Sequence, residues 1–120
     1  IGNFIRDGLN GKDIIIKGDG RTIRSYLFSD DLASWLFSIL LKGETGESYN
    51  VGSDEAISLS DLAYKVKNCF KKNIDVKILG SLTDPVNIYV PDVSKIKNNL
   101  DVVESVSIDE AIIKTIKFHS

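Results

Sequence analysis

The chain has 120 residues, 42% of them hydrophobic and 27% charged, with two prolines, which excludes a disordered or fibrous class and describes one globular domain, or a piece of one, able to bury roughly two thirds of its extended surface. The formal net charge is -2, and the only basic cluster, Lys65, Lys67, Lys71 and Lys72, is weak, so no nucleic-acid partner is expected. The longest apolar run, WLFSILL at 35–41, falls far short of the roughly 20 residues that span a bilayer, and no signal peptide opens the chain; no membrane association and a cytoplasmic location are expected.

In chain order, the opening stretch reads as the tail of a helix whose face carries Phe4, Ile5 and Leu9, stopped by Asn10-Gly11. A chain that begins inside a helix is expected to come from a longer one. The β-branched DIIIK at 13–17 predicts a strand, Gly18-Asp19-Gly20 a tight turn, and residues 22–28 a returning strand, together a hairpin. Ser29 or Asp30 is placed to cap a helix over about 30–42, closed by Lys42-Gly43. Leu32, Trp35, Leu36, Ile39 and Leu40 form its stripe, and Ala33, Phe37 and Leu41 leave almost no polar face, the pattern of a helix covered on most sides.

ESYNVG at 47–52 predicts a short strand. Ser58 and Asp61 form an approximate capping box, with Ile57 and Leu62 as its staple, for a helix buried along Leu59, Leu62, Val66 and Phe70 and ending near Lys72-Asn73. IDVKIL at 74–79 and VNIYV at 86–90 read as strands; Asp92 caps a short helix bearing Val93, Ile96 and Leu100. A last helix starts at Ser107, with Glu110 completing a second capping box, and buries Ile108, Ala111, Ile112, Thr115 and Ile116. The single cysteine, Cys69, lies at helical spacing from Leu62 and Val66 and is read as core filler.

Few residues point to chemistry. Arg24 follows a rigid turn on a predicted strand, and a planar guanidinium suits phosphate oxygens. Asn50 ends its predicted strand, where its amide is able to donate to a phosphate or simply to form a turn. Lys17, Tyr26, Tyr49 and Tyr89 are pocket-lining candidates or ordinary strand residues. The acidic pair Asp30-Asp31 is read as helix capping rather than a catalytic dyad. No metal-ligand set is present, since the only histidine is His119, and no G-x-G-x-x-G or G-x-S-x-G motif occurs.

In order, the pieces FIRDGL, IIIKGDGRTIRSYLFSDDLA, GESYNVGSDEAISLSDLAYKV and IYVPDVSKIKNNL…SIDEAIIKTI resemble the C-terminal, substrate-binding part of extended short-chain dehydrogenases/reductases, closest to NAD-dependent sugar-nucleotide epimerases and dehydratases. The resemblance implies an α/β chain of mixed α+β character, the C-terminal lobe of a Rossmann-type enzyme over residues 1–120. It also implies that the helix at about 30–42 and the strand at about 47–51 pack on a dinucleotide-binding domain outside this chain, which would hold NAD. The family's catalytic Tyr-x-x-x-Lys pair matches none of the four tyrosines, so no catalytic, cofactor-binding or metal residue is assigned here. By the same resemblance Arg24 and Asn50 match residues that approach the nucleotide diphosphate, and Lys17 falls where relatives often place an aromatic near the nucleoside.

Two departures from deoxythymidine-specific dehydratases leave the nucleotide, the sugar and the reaction open: Ser25-Tyr26 follow the arginine in place of Asp-Trp, and LTDPVN at 82–87 replaces a stretch bearing arginine and histidine. The implied partners are a nucleoside-diphosphate sugar, the chain's own N-terminal domain and a second copy in a homodimer. The alternative is a free-standing nucleotide-sugar binding or interaction module without catalysis.

Overall fold

The computed structural model describes residues 1–82 and 85–120. Its elements run α1 (Gly2–Leu9), β1 (Ile14–Ile16), β2 (Ile23–Arg24), α2 (Ser29–Lys42), β3 (Ile57–Ser58), α3 (Leu59–Asn68), β4 (Val76–Ile78), α4 (Ser94–Leu100) and α5 (Ile108–His119). The α/β class follows from the pairing of β1 with β4 in parallel, Ile14 opposite Val76 and Ile16 opposite Ile78, with helices packed around it. Ile14 and Ile16 point into the core while Ile15 between them is exposed, the period-2 alternation of a strand covered on one face.

The glycine turn does not make a hairpin. β2 is only two residues long and pairs antiparallel with β3, Ile23 opposite Ser58, whereas β1 turns to β4. Instead the turn seats the start of α3: Gly20 and Thr22 carbonyls accept from the N–H groups of Ser60 and Leu59 at 3.0 and 2.9 Å, meeting donors that a helix start leaves open. Gly20 adopts φ +80°, and a Cβ there would come within 3.1 Å of Ser60 Cβ, so both its backbone sign and the close approach require glycine.

Two apolar clusters form. The larger joins Phe4 and Ile5 of α1, Ile14 and Ile16, Leu62, Ala63 and Val66 of α3, Ile74, and Ile108 and Ile112 of α5. The smaller sets Trp35 of α2 against Val93, Ile96, Leu100 and Val102. Both predicted capping boxes carry their first bond, Ser58 Oγ accepting from Asp61 N and Ser107 Oγ from Glu110 N.

Other elements differ from the sequence reading. α3 stops at Asn68 with Cys69 as its C-cap, short of Lys72-Asn73, and this turns Cys69 to the surface, where its thiol bonds the Lys65 carbonyl rather than filling the core. α2 has Phe28 at its N-cap, with no side-chain cap from Ser29 or Asp30. Residues 47–52 lie in no strand, because no second strand runs beside them among the described residues. Of 86–90 only Ile88 bridges, to Ile23; Thr83 and Asp84 of the LTDPVN stretch lie outside the described residues. No helix among those described is long and apolar enough to cross a membrane.

Candidate anion-binding site

Arg24 leaves β2 half-buried, and its Nη1 donates to the carbonyl of Ile23 at 2.9 Å and, more distantly, to the carbonyl and Oδ1 of Asn87, both at 3.4 Å. Asn87 is itself tied to β2, since Ile23 N donates to its carbonyl at 2.9 Å and Tyr89 N donates back to the Ile23 carbonyl at 3.0 Å. All of these acceptors are neutral, and no carboxylate pairs with Arg24 among the described residues. Its charge is therefore uncancelled by an ion pair. The neighbouring Arg21 differs: Asp19 accepts from its backbone N and its Nε at 2.9 and 2.8 Å, and these bonds hold the Asp19 carboxyl below the usual range.

Asn50 stands on the 47–52 segment, and its amide donates to the Asp92 carbonyl at 3.0 Å. Three further contacts press that segment onto the start of α4. Lys95 Nζ donates to Glu47 at 2.6 Å and to the Ser48 carbonyl at 2.8 Å, and sits 4.9 Å over the Tyr49 ring. A Cβ on Gly52 would come within 2.8 Å of the Pro91 ring. The YNVG and YVPDVSK motifs are thus packed against one another, and Asp92, accepting from Ser94 N and Oγ at 3.0 and 2.7 Å, holds the entry to α4 within the second of them. Those two bonds, the side-chain one first, also lower the Asp92 pKa.

Arg24 and Asn50 therefore hang on one segment, at its residues 87 and 92, points no more than about 18 Å apart in a fully extended chain. Lys17, exposed at the end of β1, shares no contact with either and has no polar partner among the described residues. Tyr26 packs half-buried on the larger cluster, and burial pushes its phenol pKa up against the opposing charge of Arg24. Tyr89 is exposed. A hollow of about 440 Å³ lies between Gly18 and Asp19 on one side and Gly80 and residues 85–87 on the other, next to the Asn87 that Arg24 touches. A second, of about 550 Å³, is lined by Glu55 and Asp61, with Lys65 bound to Asp109 at 2.7 Å, and suits an anion poorly.

Asp31 is the polar residue that the sequence reading misplaced. It is 4% exposed and accepts from Ser105 N at 3.0 Å, Val106 N at 3.1 Å and the Ser105 hydroxyl, so it ties α2 to the 103–106 loop instead of capping its own helix. A carboxylate at helical spacing before the only tryptophan was the available signal; the partners were not visible from local pattern.

The parallel β1–β4 pair with its flanking helices defines a Rossmann-type α/β lobe, and a cationic residue is held on a short strand beside its glycine turn. Residues 1–52 match the family described as "NAD dependent epimerase/dehydratase family". Among curated relatives, a dTDP-D-glucose 4,6-dehydratase of Dictyostelium discoideum is 46% identical over 68 residues, covering 57% of this chain and 16% of its own. A trifunctional UDP-glucose 4,6-dehydratase/UDP-4-keto-6-deoxy-D-glucose 3,5-epimerase/UDP-4-keto-L-rhamnose-reductase of Arabidopsis thaliana is 32% identical over 122 residues, covering 100% of this chain and 18% of its own. Among solved structures, the Bordetella bronchiseptica enzyme WbmF in complex with NAD+ and UDP superposes with a TM-score of 0.82 at 27% identity, over 96% of this chain and 34% of that one. The chain is thus similar to members of the NAD-dependent epimerase/dehydratase family, by the family match over residues 1–52 and by these relatives over its whole length. It spans less than a fifth of the two curated relatives' length.

A dinucleotide cradle needs a strand that passes through a glycine turn into a helix start. Among the described residues β1 leads through its glycines to β2, β3 enters α3 without a glycine, and β4 leads to the 85–88 segment. None of these forms such a cradle, and no step of a reaction through NAD is assigned to the residues of this chain.

Proposed function

We propose that this chain is the nucleotide-sugar-binding part of an NAD-dependent epimerase or dehydratase, in which Arg24 neutralises the diphosphate of a nucleoside-diphosphate sugar and Asn50 and Lys17 make secondary contacts. The observation that carries this reading is the Arg24 guanidinium, attached to the fold through neutral oxygens and left with its charge unpaired by any carboxylate among the described residues. Anchoring a substrate's diphosphate away from the reacting carbon orients that carbon and supplies binding energy to the chemical step. The catalytic pair and the NAD site belong to another part of the enzyme in this reading. The isolated chain then binds nucleotide but turns nothing over.

The outer face of α2 supports the same division. Leu36, Phe37, Leu40 and Leu41 are 51%, 64%, 76% and 78% exposed, and the 47–51 segment pairs with no strand among the described residues. Contiguous apolar surface of this kind marks an interface. Its occupant in the intact enzyme is the dinucleotide-binding domain, while the intact enzyme pairs as a homodimer.

The decisive experiment is Arg24→Ala in the intact enzyme, with the nucleotide-sugar KM and UDP affinity as readouts. Loss of a charge-assisted contact of about 1.5 to 3 kcal/mol weakens binding roughly 10- to 150-fold with an unchanged melting temperature. Wild-type affinity in the variant would make Arg24 a surface residue and end the proposal.

A further inference from the structure

The three acceptors around Arg24 all meet one nitrogen, Nη1: the Ile23 carbonyl at 2.9 Å and the two oxygens of Asn87 at 3.4 Å. Nε and Nη2 have no partner among the described residues. A guanidinium carries five N–H groups, so anchoring the two on Nη1 leaves three, of which Nε–H and one Nη2–H lie parallel along the Nε–Nη2 edge, the side-on fork that matches two oxygens of a phosphate. The anchor is a fixed one, because the Asn87 carbonyl accepts from Ile23 N at 2.9 Å and, two residues on, Tyr89 N donates back to the Ile23 carbonyl at 3.0 Å.

We infer that Asn87 is a positioning residue for Arg24: its two oxygens hold Nη1 so that the Nε–Nη2 edge is presented to an incoming diphosphate. The inference rests on the nucleotide-sugar reading above and names the residue that prepares its main contact. An amide is the right group for this. It restrains a long side chain whose freedom would otherwise be lost on binding, yet adds no negative charge to cancel the guanidinium or repel phosphate. Arg24 and Asn87 lie 63 residues apart, so the contact also makes the anion site depend on docking of the 85–92 segment.

The test compares wild type, Asn87→Ala, Asn87→Asp and Arg24→Ala. Two measurements are made on each: the exchange rate between the two Nη resonances of Arg24 by ¹⁵N NMR without ligand, and UDP affinity by calorimetry. Slow exchange in wild type, fast exchange in Asn87→Ala and a loss of UDP affinity of about threefold to tenfold in that variant support the inference. Asn87→Asp keeps the acceptors; slow Arg24 exchange with weakened UDP binding is its expected pattern, which loss of fold does not produce. If Arg24 exchanges alike in wild type and Asn87→Ala, or if Asn87→Ala binds UDP as wild type does while Arg24→Ala does not, the positioning role is refuted and the nucleotide-sugar reading stands. If Arg24→Ala binds UDP as wild type does, the reading itself fails and the positioning role falls with it. Should Asn87→Ala prove unfolded, Asn87→Asp decides, and fast Arg24 exchange in a folded Asn87→Asp overturns the inference.

Discussion

Replacing Asp31 by alanine should destabilise the fold by about 2 to 4 kcal/mol, a large effect for an aspartate in the first turn of a helix. The magnitude follows from where its bonds go. Val106 is buried, so no water replaces the carboxylate at its N–H, and an unmet buried donor costs about 1 to 3 kcal/mol. Ser105 is exposed, and water takes over much of what its N–H and hydroxyl lose. Removal of the buried charge returns some desolvation energy, which keeps the total below the sum of three charged hydrogen bonds. For a chain of this length the melting temperature should fall by roughly 8 to 15 °C.

The only tryptophan reports on the same junction. Trp35, one turn after Asp31, is 1% exposed and donates from Nε1 to the Val103 carbonyl at 3.0 Å, so release of the 103–106 loop hydrates the indole. Thermal and urea melts followed by Trp35 fluorescence are therefore the assay. Asp31→Asn, which keeps one acceptor oxygen but brings an NH2 against a backbone donor, should lose about half as much as alanine. An Asp31→Ala protein that melts within about 2 °C of the parent, with unchanged emission, would show that Asp31 acts only on its own helix dipole, an effect of about 0.3 to 1 kcal/mol.

Gly80→Ala should cost about 2 kcal/mol or more, because its Cβ would stand 2.3 Å from the Gly18 carbonyl carbon and 2.7 Å from Asp19 N, forcing two backbones apart; loss of amide-exchange protection at residue 80, which donates to the Gly18 carbonyl at 2.9 Å, checks it. Asp13, Asp19, Glu47 and Asp92 all have pKa values lowered in the fold, chiefly by hydrogen bonds from Lys77, Arg21, Lys95 and Ser94. Groups depressed in this way stabilise the fold above their unfolded pKa values, near 4, and the stability should drain away as pH falls below that through the lowered values; melting curves between pH 6 and pH 2.5 measure it, and a flat profile would contradict it. The isolated chain should self-associate through the bare face of α2, and Leu40→Lys with Leu41→Lys should return it to monomer in light scattering; a strictly monomeric parent would show that this face needs no cover. Calorimetry of the isolated chain with NAD should show no binding, and a micromolar affinity would reverse the assignment of NAD to another part of the enzyme.

Much of the fold was legible from short-range pattern. The serine caps at 58 and 107 act on residues three positions away, and the buried faces of α1, α3, α4 and α5 repeat within a helical turn or two, so each is written in a few consecutive residues. Arg24 was also visible as a candidate, because a rigid turn and a strand beside a guanidinium are local facts. Pairing was not. Gly18-Asp19-Gly20 suits a hairpin, yet β1 took a partner at 76–78 and β2 one at 57–58, since the turn serves the start of α3 and strand partners are chosen by the whole core. Residues 47–52 have strand composition but no ladder among the described residues, as a strand exists only with a neighbour to bond. Asp31 and Arg24 found their partners 74, 75 and 63 residues away. The sequence alone determines where a helix can start and which face it buries; the tertiary structure decides which distant carbonyl or amide a polar side chain meets, because that choice depends on the closure of long loops around an assembled core.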